Sequence, residues 1–191
     1  MAIRIEDERL STEPQMHPGA QDLREIILGA QDNLINVLAT VLGVAIGSGR
    51  VEMVALAGLA SGVAEAISMG GVLYTSTCAE RDLHLSSGAA DGGNIPIHLR
   101  IKNPLRAAIV TFIAAFVAAL IPLAPFAFLG LGWAMVVSAL LSIAALFALG
   151  GWKARVTRRP WWIDGLTFVA IGGLAAIASA IIGVLLKTHS G

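Results

Sequence analysis

Five stretches of this chain, at 26–46, 53–75, 105–128, 132–150 and 163–186, run for roughly 20 residues with at most one charged side chain each, the length a helix needs to cross a hydrocarbon core. A backbone in lipid has no water to bond, so its amides must pair within the segment. Runs rich in Ala, Leu and Gly satisfy this as helices and not as the alternating strands of a barrel. The chain is therefore predicted as an all-α integral membrane protein with five transmembrane helices. Composition agrees: 56% hydrophobic residues, 14% charged residues and a mean hydropathy of +0.77 leave too few polar side chains to cover a soluble fold. A net charge of zero provides no basic footprint for nucleic acid, and the one cysteine, Cys78, cannot form an intrachain disulfide.

The remaining segments are short. Residues 1–21, charged and broken by Pro14 and Pro18, read as a flexible tail, and the apolar run after them lacks a secretory cleavage pattern. Residues 22–187 form one transmembrane domain, with a short loop at 78–104 and a tail at 188–191. Gly47-Ser48-Gly49 and Gly130-Leu131-Gly132 mark two tight helical hairpins. Eleven of the thirteen basic residues fall before span one, between spans two and three, or between spans four and five; only Arg50 and Lys187 fall on the other side. The positive-inside rule then predicts a cytoplasmic N-terminus and an outside or lumenal C-terminus. Trp161 and Trp162, beside Arg158 and Arg159, read as an interfacial anchor.

Two acids stand where lipid is expected. Asp32 lies about two turns into span one, and Glu65 near the middle of span two. An ionised carboxylate at such depth costs on the order of 3 kcal/mol unless it is paired, hydrated or protonated, so each marks a candidate functional site. Ser61, Glu65 and Met69 follow one another at four-residue spacing and share a helix face. Beside them run Gly58, Gly62, Ala66 and Gly70, and span one carries Gly43 and Gly47, patterns expected to pack the first two spans together. Pro122 and Pro125 are expected to bend span three and to free the carbonyls of Ala118 and Ile121.

Several activities are not supported. His17, His84, His98 and His189 all lie outside the spans, so paired intramembrane histidines cannot hold a haem. No HExxH motif, Ser/His/Asp arrangement or Walker loop is present. Transport by such a chain would draw on a gradient.

The stretches Gly29-Ala30-Gln31-Asp32-Asn33, Ala66-Ile67-Ser68-Met69-Gly70, Tyr74-Thr75-Ser76, Asn103-Pro104-Leu105-Arg106-Ala107-Ala108, Leu120-Ile121-Pro122-Leu123-Ala124-Pro125, and Leu146 to Gly150 with Ile171-Gly172-Gly173, taken in order, resemble the vacuolar iron transporter family. The resemblance covers about residues 22–187. It implies a five-helix homodimer that carries Fe²⁺, often Mn²⁺, out of the cytosol in exchange for protons, along a path between protomers lined by the first two helices. By position, Asp32 resembles the family's first-helix aspartate and Met69 its second-helix methionine. The second-helix carboxylate of such proteins lies about two turns before the methionine, where this chain has Ser61; Glu65 stands one turn before, on the same face. An acid common in bacterial relatives just before the tyrosine is here Leu73. The glutamate-rich cytoplasmic domain of many members is missing, as in the nodulin-like branch, and 78–104 offers only Glu80, Asp82 and Asp91 as acids, with His84 and His98 more simply read as solvated.

The expected metal site is Asp32, Glu65 and Met69, with Ser61 and Asn36 as secondary candidates. Carboxylates replace part of a divalent ion's hydration shell, and a thioether favours Fe²⁺ or Mn²⁺ over Mg²⁺ or Ca²⁺. Because the ligands bind metal only when deprotonated, metal and protons compete. No permanently bound cofactor is expected. The setting would be the plasma membrane in a bacterium or a vacuolar-type membrane in a eukaryote. A different reading is a non-transporting membrane subunit or scaffold, which would give Asp32 and Glu65 protein partners. A membrane enzyme lacks a nucleophile or base pair within the spans.

Overall fold

The computed structural model describes residues 18–91, 103–157 and 160–189. They form five helices: α1 (Pro18–Ser48), α2 (Val51–Asp91), α3 (Pro104–Phe128), α4 (Leu131–Thr157) and α5 (Trp161–His189). Each contains a stretch long and apolar enough to cross a membrane. Large side chains such as Phe128, Trp133 and Leu174 point outward, 86%, 73% and 71% exposed, as a lipid-facing surface requires.

The helix ends follow from local chemistry. Pro18 opens α1, where a missing N–H is harmless. At its other end Gly49 takes φ +65° and its N–H reaches the Ala45 carbonyl at 3.0 Å. The Ser48 hydroxyl donates to Val44 O at 2.7 Å and accepts from the Arg50 N–H at 3.3 Å. The link is thus Gly49 and Arg50, and Gly47 remains helical. Asn103 caps α3 by accepting the Leu105 N–H at 3.0 Å, with Pro104 in the first turn.

Two expectations about extent are corrected. Residues 18–21, read as tail, belong to α1, and 78–91, read as loop, continue α2. With 41 residues α2 is about 60 Å long, roughly twice the hydrocarbon thickness. Nothing in Glu80-Arg81-Asp82 breaks a helix that has left the membrane, because charge ends an apolar run without ending helical propensity. Residues 1–17, 92–102, 158–159 and 190–191, with Arg158 and Arg159 and the remainder of the expected tails and loop, lie outside the described residues.

The helix α1 is the hub. It packs against all four others, while α2, α3, α4 and α5 follow one another around it, each packed on the next. Over half of its apolar window is buried (56%), against 11% for α5. Its inner side carries Leu34, Val37, Leu38 and Val41, all essentially solvent-free. No comparable packing joins α2 to α5 among the described residues. On α1, Asp32, Asn36, Thr40, Gly43 and Gly47 are only half buried.

The small-residue stripes do not serve chiefly to join α1 to α2, as expected. Gly43 and Gly47 of α1 lie against Ser179 and Gly183 of α5, and a Cβ added to Gly183 would sit 2.5 Å from the Gly43 carbonyl oxygen. The Ser179 hydroxyl seals this crossing by donating to Ala39 O at 2.6 Å. Gly62 of α2 faces Ala119 of α3 as well as Val37 of α1; Gly58 faces Leu123 and Val41; Gly70 faces Ala108 and Phe112 of α3. The stripe on α2 is therefore a seam with α3 first and with α1 second. A repeat of small residues permits close approach but does not name the partner. Both prolines of α3 are buried within a continuous helix, and the Ser138 hydroxyl from α4 donates to Pro122 O at 2.7 Å.

Candidate functional site

The carboxyl group of Glu65 on α2 lies in the same neighbourhood as the side chains of Asp32 and Asn36 on α1, near enough for the three to interact electrostatically. Asp32 and Asn36 are one turn apart and point the same way because four residues nearly complete a helical turn. Glu65 meets them because its helix approaches α1 across Gly62, which has no side chain to hold the two apart. All three residues are half buried, on the margin between the packed interior and the open side of the bundle.

Neither Asp32 nor Glu65 is paired with a lysine or arginine among the described residues. Like charges brought together away from water repel, so a pair of neighbouring ionised carboxylates is relieved by a cation or by a proton on one of them. The Asn36 amide can donate to one carboxylate oxygen, which holds an acceptor in position without neutralising it.

Ser61 and Met69 occupy the same face of α2, about 6 Å along the axis on either side of Glu65, and both are half buried. The sequence pattern thus brings Asp32, Glu65 and Asn36 into one group, with Ser61 and Met69 flanking it. Among the described residues no three His, Cys, Asp or Glu side chains gather into one cluster. His84 lies on the α2 extension, its side chain outside the description, and His98 lies outside the described residues.

Three buried polar residues escaped the reading of the sequence. Asn33, fully buried beside Asp32, donates through its amide to Gly62 O of α2 and Ala115 O of α3, each at 3.0 Å. Its signal was only a helical turn of 100° away from Asp32, which directs it inward. Asp164, in the first turn of α5, is 4% exposed and lies 3.9 Å from Lys153 Nζ of α4. The lysine also sits over the Phe168 ring, 5.2 Å from its centroid. Opposite charges on either side of the α4–α5 link were the available sign. Glu25, 5% exposed, is buried near the start of α1, just ahead of the expected first span.

A cavity of about 370 Å³ opens between α1 and α5 near Ser48, lined mainly by apolar and small residues including Gly43, Val44, Gly47, Ile182 and Gly183. It contains no carboxylate, and the two acids lie on the α2 side of α1.

The model of the VIT family matches residues 23–91 and 89–184 of the chain. Vacuolar iron transporter homolog 1 of Arabidopsis thaliana is 26% identical over 172 residues, covering 90% of this chain and 86% of the relative. VIT-like transporter 1a of Glycine max is 30% identical over 152 residues, 74% of each chain, and vacuolar iron transporter homolog 2.1 of Arabidopsis thaliana is 32% identical over 172 residues, 83% of this chain and 78% of its own. Because the matched residues take in all five membrane-crossing helices, the chain is an integral membrane protein that belongs to the VIT family.

Proposed function

We propose that the chain carries a divalent transition metal, Fe²⁺ or Mn²⁺, out of the cytosol in exchange for protons. The observation that carries this reading is the pair of carboxylates, Asp32 and Glu65, facing each other within the membrane-crossing helices with an amide alongside and no basic partner among the described residues. Metal binding relieves their repulsion, and protonation relieves it in the metal's absence, so the two occupancies exclude each other. Met69 contributes a thioether one turn from Glu65, a ligand that favours these ions over Mg²⁺ and Ca²⁺. The names of the relatives, vacuolar iron transporter homologs and a VIT-like transporter, agree with this substrate.

The transporting unit is a homodimer joined along α1 and α2, which doubles the set of ligands. Supporting this, α2 presents an outward stripe of Ala60, Ala64, Ser68, Gly71 and Thr75, all exposed, next to Glu65 and Met69. Small residues at this spacing let helices associate in lipid, and a Cβ on Gly71 would meet nothing within 4 Å. The alternative of a non-transporting scaffold would give the two acids basic or amide-rich protein partners; Asn36 alone answers that description among the described residues.

The test is metal flux into sealed proteoliposomes under an imposed pH gradient. Wild type should move Fe²⁺ or Mn²⁺ toward the acidic compartment and alkalinise it, and Asp32→Ala and Glu65→Ala should each abolish both signals. Flux that survives loss of both carboxylates would overturn the reading.

A further inference from the structure

The two hairpin turns of this bundle lie at the same end, because successive helices cross in alternate directions, yet their side chains differ in kind. The α1–α2 turn carries Ser48, Arg50 and Glu52, the two charged side chains 68% and 78% exposed and 3.8 Å apart. The α3–α4 turn reads Phe128-Leu129-Gly130-Leu131-Gly132-Trp133. From Ala107 to Trp152 the chain has no Asp, Glu, Lys, Arg or His, and its hydroxyls there, Thr111, Ser138 and Ser142, are all buried. The α3–α4 hairpin therefore turns no charged or hydroxyl side chain outward between these limits, its tip included.

Turns that stand in water draw on Asn, Asp, Ser and Pro, several of which serve the open backbone with their own side chains. Large apolar groups take those places here: Phe128 and Trp133 are almost fully exposed, and Leu129 is exposed between them. Helix length fixes the depth at which they lie. At a rise of 1.5 Å per residue, Phe128 is about 33 Å along α3 from Arg106, and Trp133 is about 30 Å along α4 from Lys153. Each separation is about one hydrocarbon thickness, so with Arg106 and Lys153 at the polar boundary of one leaflet, Phe128 and Trp133 reach the boundary of the other.

The backbone of the turn sets the same level. The Leu129 N–H donates to Pro125 O and the Ala134 N–H to Gly130 O, each at 2.9 Å, while the first N–H groups of α4 and the last carbonyls of α3 have no acceptor or donor of their own helix. Hydrocarbon cannot serve them, and the headgroup boundary, which holds water and lipid oxygens, can. A tip that is apolar in its side chains and open in its backbone matches that boundary, where tryptophan is enriched.

We infer that the α3–α4 turn is a lipid-docking surface: Phe128, Leu129 and Trp133 insert at the headgroup boundary of the leaflet at this end, while the α1–α2 turn stands in water. Having no charge, the surface takes the apolar edge of the bilayer and does not select headgroup charge. Water at this end of the bundle is then concentrated around the α1–α2 turn, where the cavity between α1 and α5 opens near Ser48. None of this depends on the proposed transport activity.

The test is thiol reactivity of the full chain in vesicles. In a Cys78→Ser background, Gly130→Cys places a thiol at the tip, where an added Cβ meets nothing within 4 Å, and Glu52→Cys places one at the charged turn. Both positions share one end, so either orientation in the vesicle presents them equally. With each rate taken relative to that of the same cysteine unfolded in SDS, a membrane-impermeant maleimide should label Glu52→Cys about tenfold or more faster than Gly130→Cys in phosphatidylcholine vesicles, because a thiol held out of water stays protonated and shielded. Adding Phe128→Ser and Trp133→Ser to Gly130→Cys should raise its labelling several-fold, and admixed phosphatidylglycerol should leave the protection unchanged.

Equal relative labelling of the two cysteines would overturn the inference, as would a Gly130→Cys rate that ignores the serine substitutions. Protection found only with phosphatidylglycerol would assign it to headgroup charge and overturn it too. Protection that vanishes as the protein is diluted in lipid would put a second copy over the turn, again contradicting the inference. Should the double serine variant fail to fold, Trp133→Ser alone is read the same way.

Discussion

Two helix crossings in this bundle hold a carboxylate against a neighbouring helix, and they treat it oppositely. At the α4–α5 crossing Asp164 is enclosed, 4% exposed, with Lys153 3.9 Å away, and the helices touch where a Cβ on Gly150 would lie 2.5 Å from the Asp164 carbonyl oxygen. At the α1–α2 crossing Asp32 and Glu65 face each other half exposed, with an asparagine amide and no cation among the described residues. The first arrangement brings opposite charges together, whereas the second brings two acids together with no basic partner among the described residues. Burial of an acid in a membrane helix does not by itself identify a functional site, and the sign of its neighbours is what separates the two cases.

The largest effect that would sharpen this contrast is expected from the open crossing. Asp32→Ala or Glu65→Ala should lower metal flux by about 100-fold or more, corresponding to at least about 2.7 kcal/mol, measured in proteoliposomes at matched protein content. Thermal stability of the metal-free protein should hold or rise, because a like-charge contact is removed. Asp164→Ala should do the reverse. It should destabilise the protein by about 1–3 kcal/mol in a detergent melt, less than for a fully enclosed pair because Lys153 is 40% exposed, with the half-saturating metal concentration of the folded fraction unchanged.

At the α1–α5 crossing, Gly183→Val should destabilise by about 1–3 kcal/mol through overpacking against the Gly43 carbonyl, read in the same melt. Gly71→Val, on the open side of α2, should leave the monomer's melt unchanged and weaken self-association, read by light scattering in detergent. The smallest effect belongs to Met69→Leu, which keeps volume and removes the thioether. It should leave flux measurable while narrowing the preference for Fe²⁺ over Mg²⁺ by about 10-fold or less in competition assays.

The five spans were legible because lipid imposes the same demand on every residue of a segment, so apolar length alone reveals them. The end of α2 was not: Glu80, Arg81 and Asp82 end hydrophobicity without ending the helix, which continues to Asp91. Asp32 and Glu65 were found because charge in a span is conspicuous. Their contact followed from a shared crossing that the Gly43–Gly47 pattern pointed toward for the wrong reason, since those glycines face α5. Asn33 went unnoticed because an amide beside an aspartate looks like part of the same polar patch, and only the helical rotation between adjacent positions sends one to the open side and the other into the seam.

The central claim, that Asp32 and Glu65 form a cation site, is tested most directly by Mn²⁺ binding to the purified protein at neutral pH and again after acidification. The double isosteric variant Asp32→Asn/Glu65→Gln serves as the comparison. Wild type should bind Mn²⁺ and release it on acidification, and the variant, folded but without carboxylates to ionise, should bind none at either pH. Equal, pH-dependent binding by both proteins would place the cation elsewhere and contradict the account.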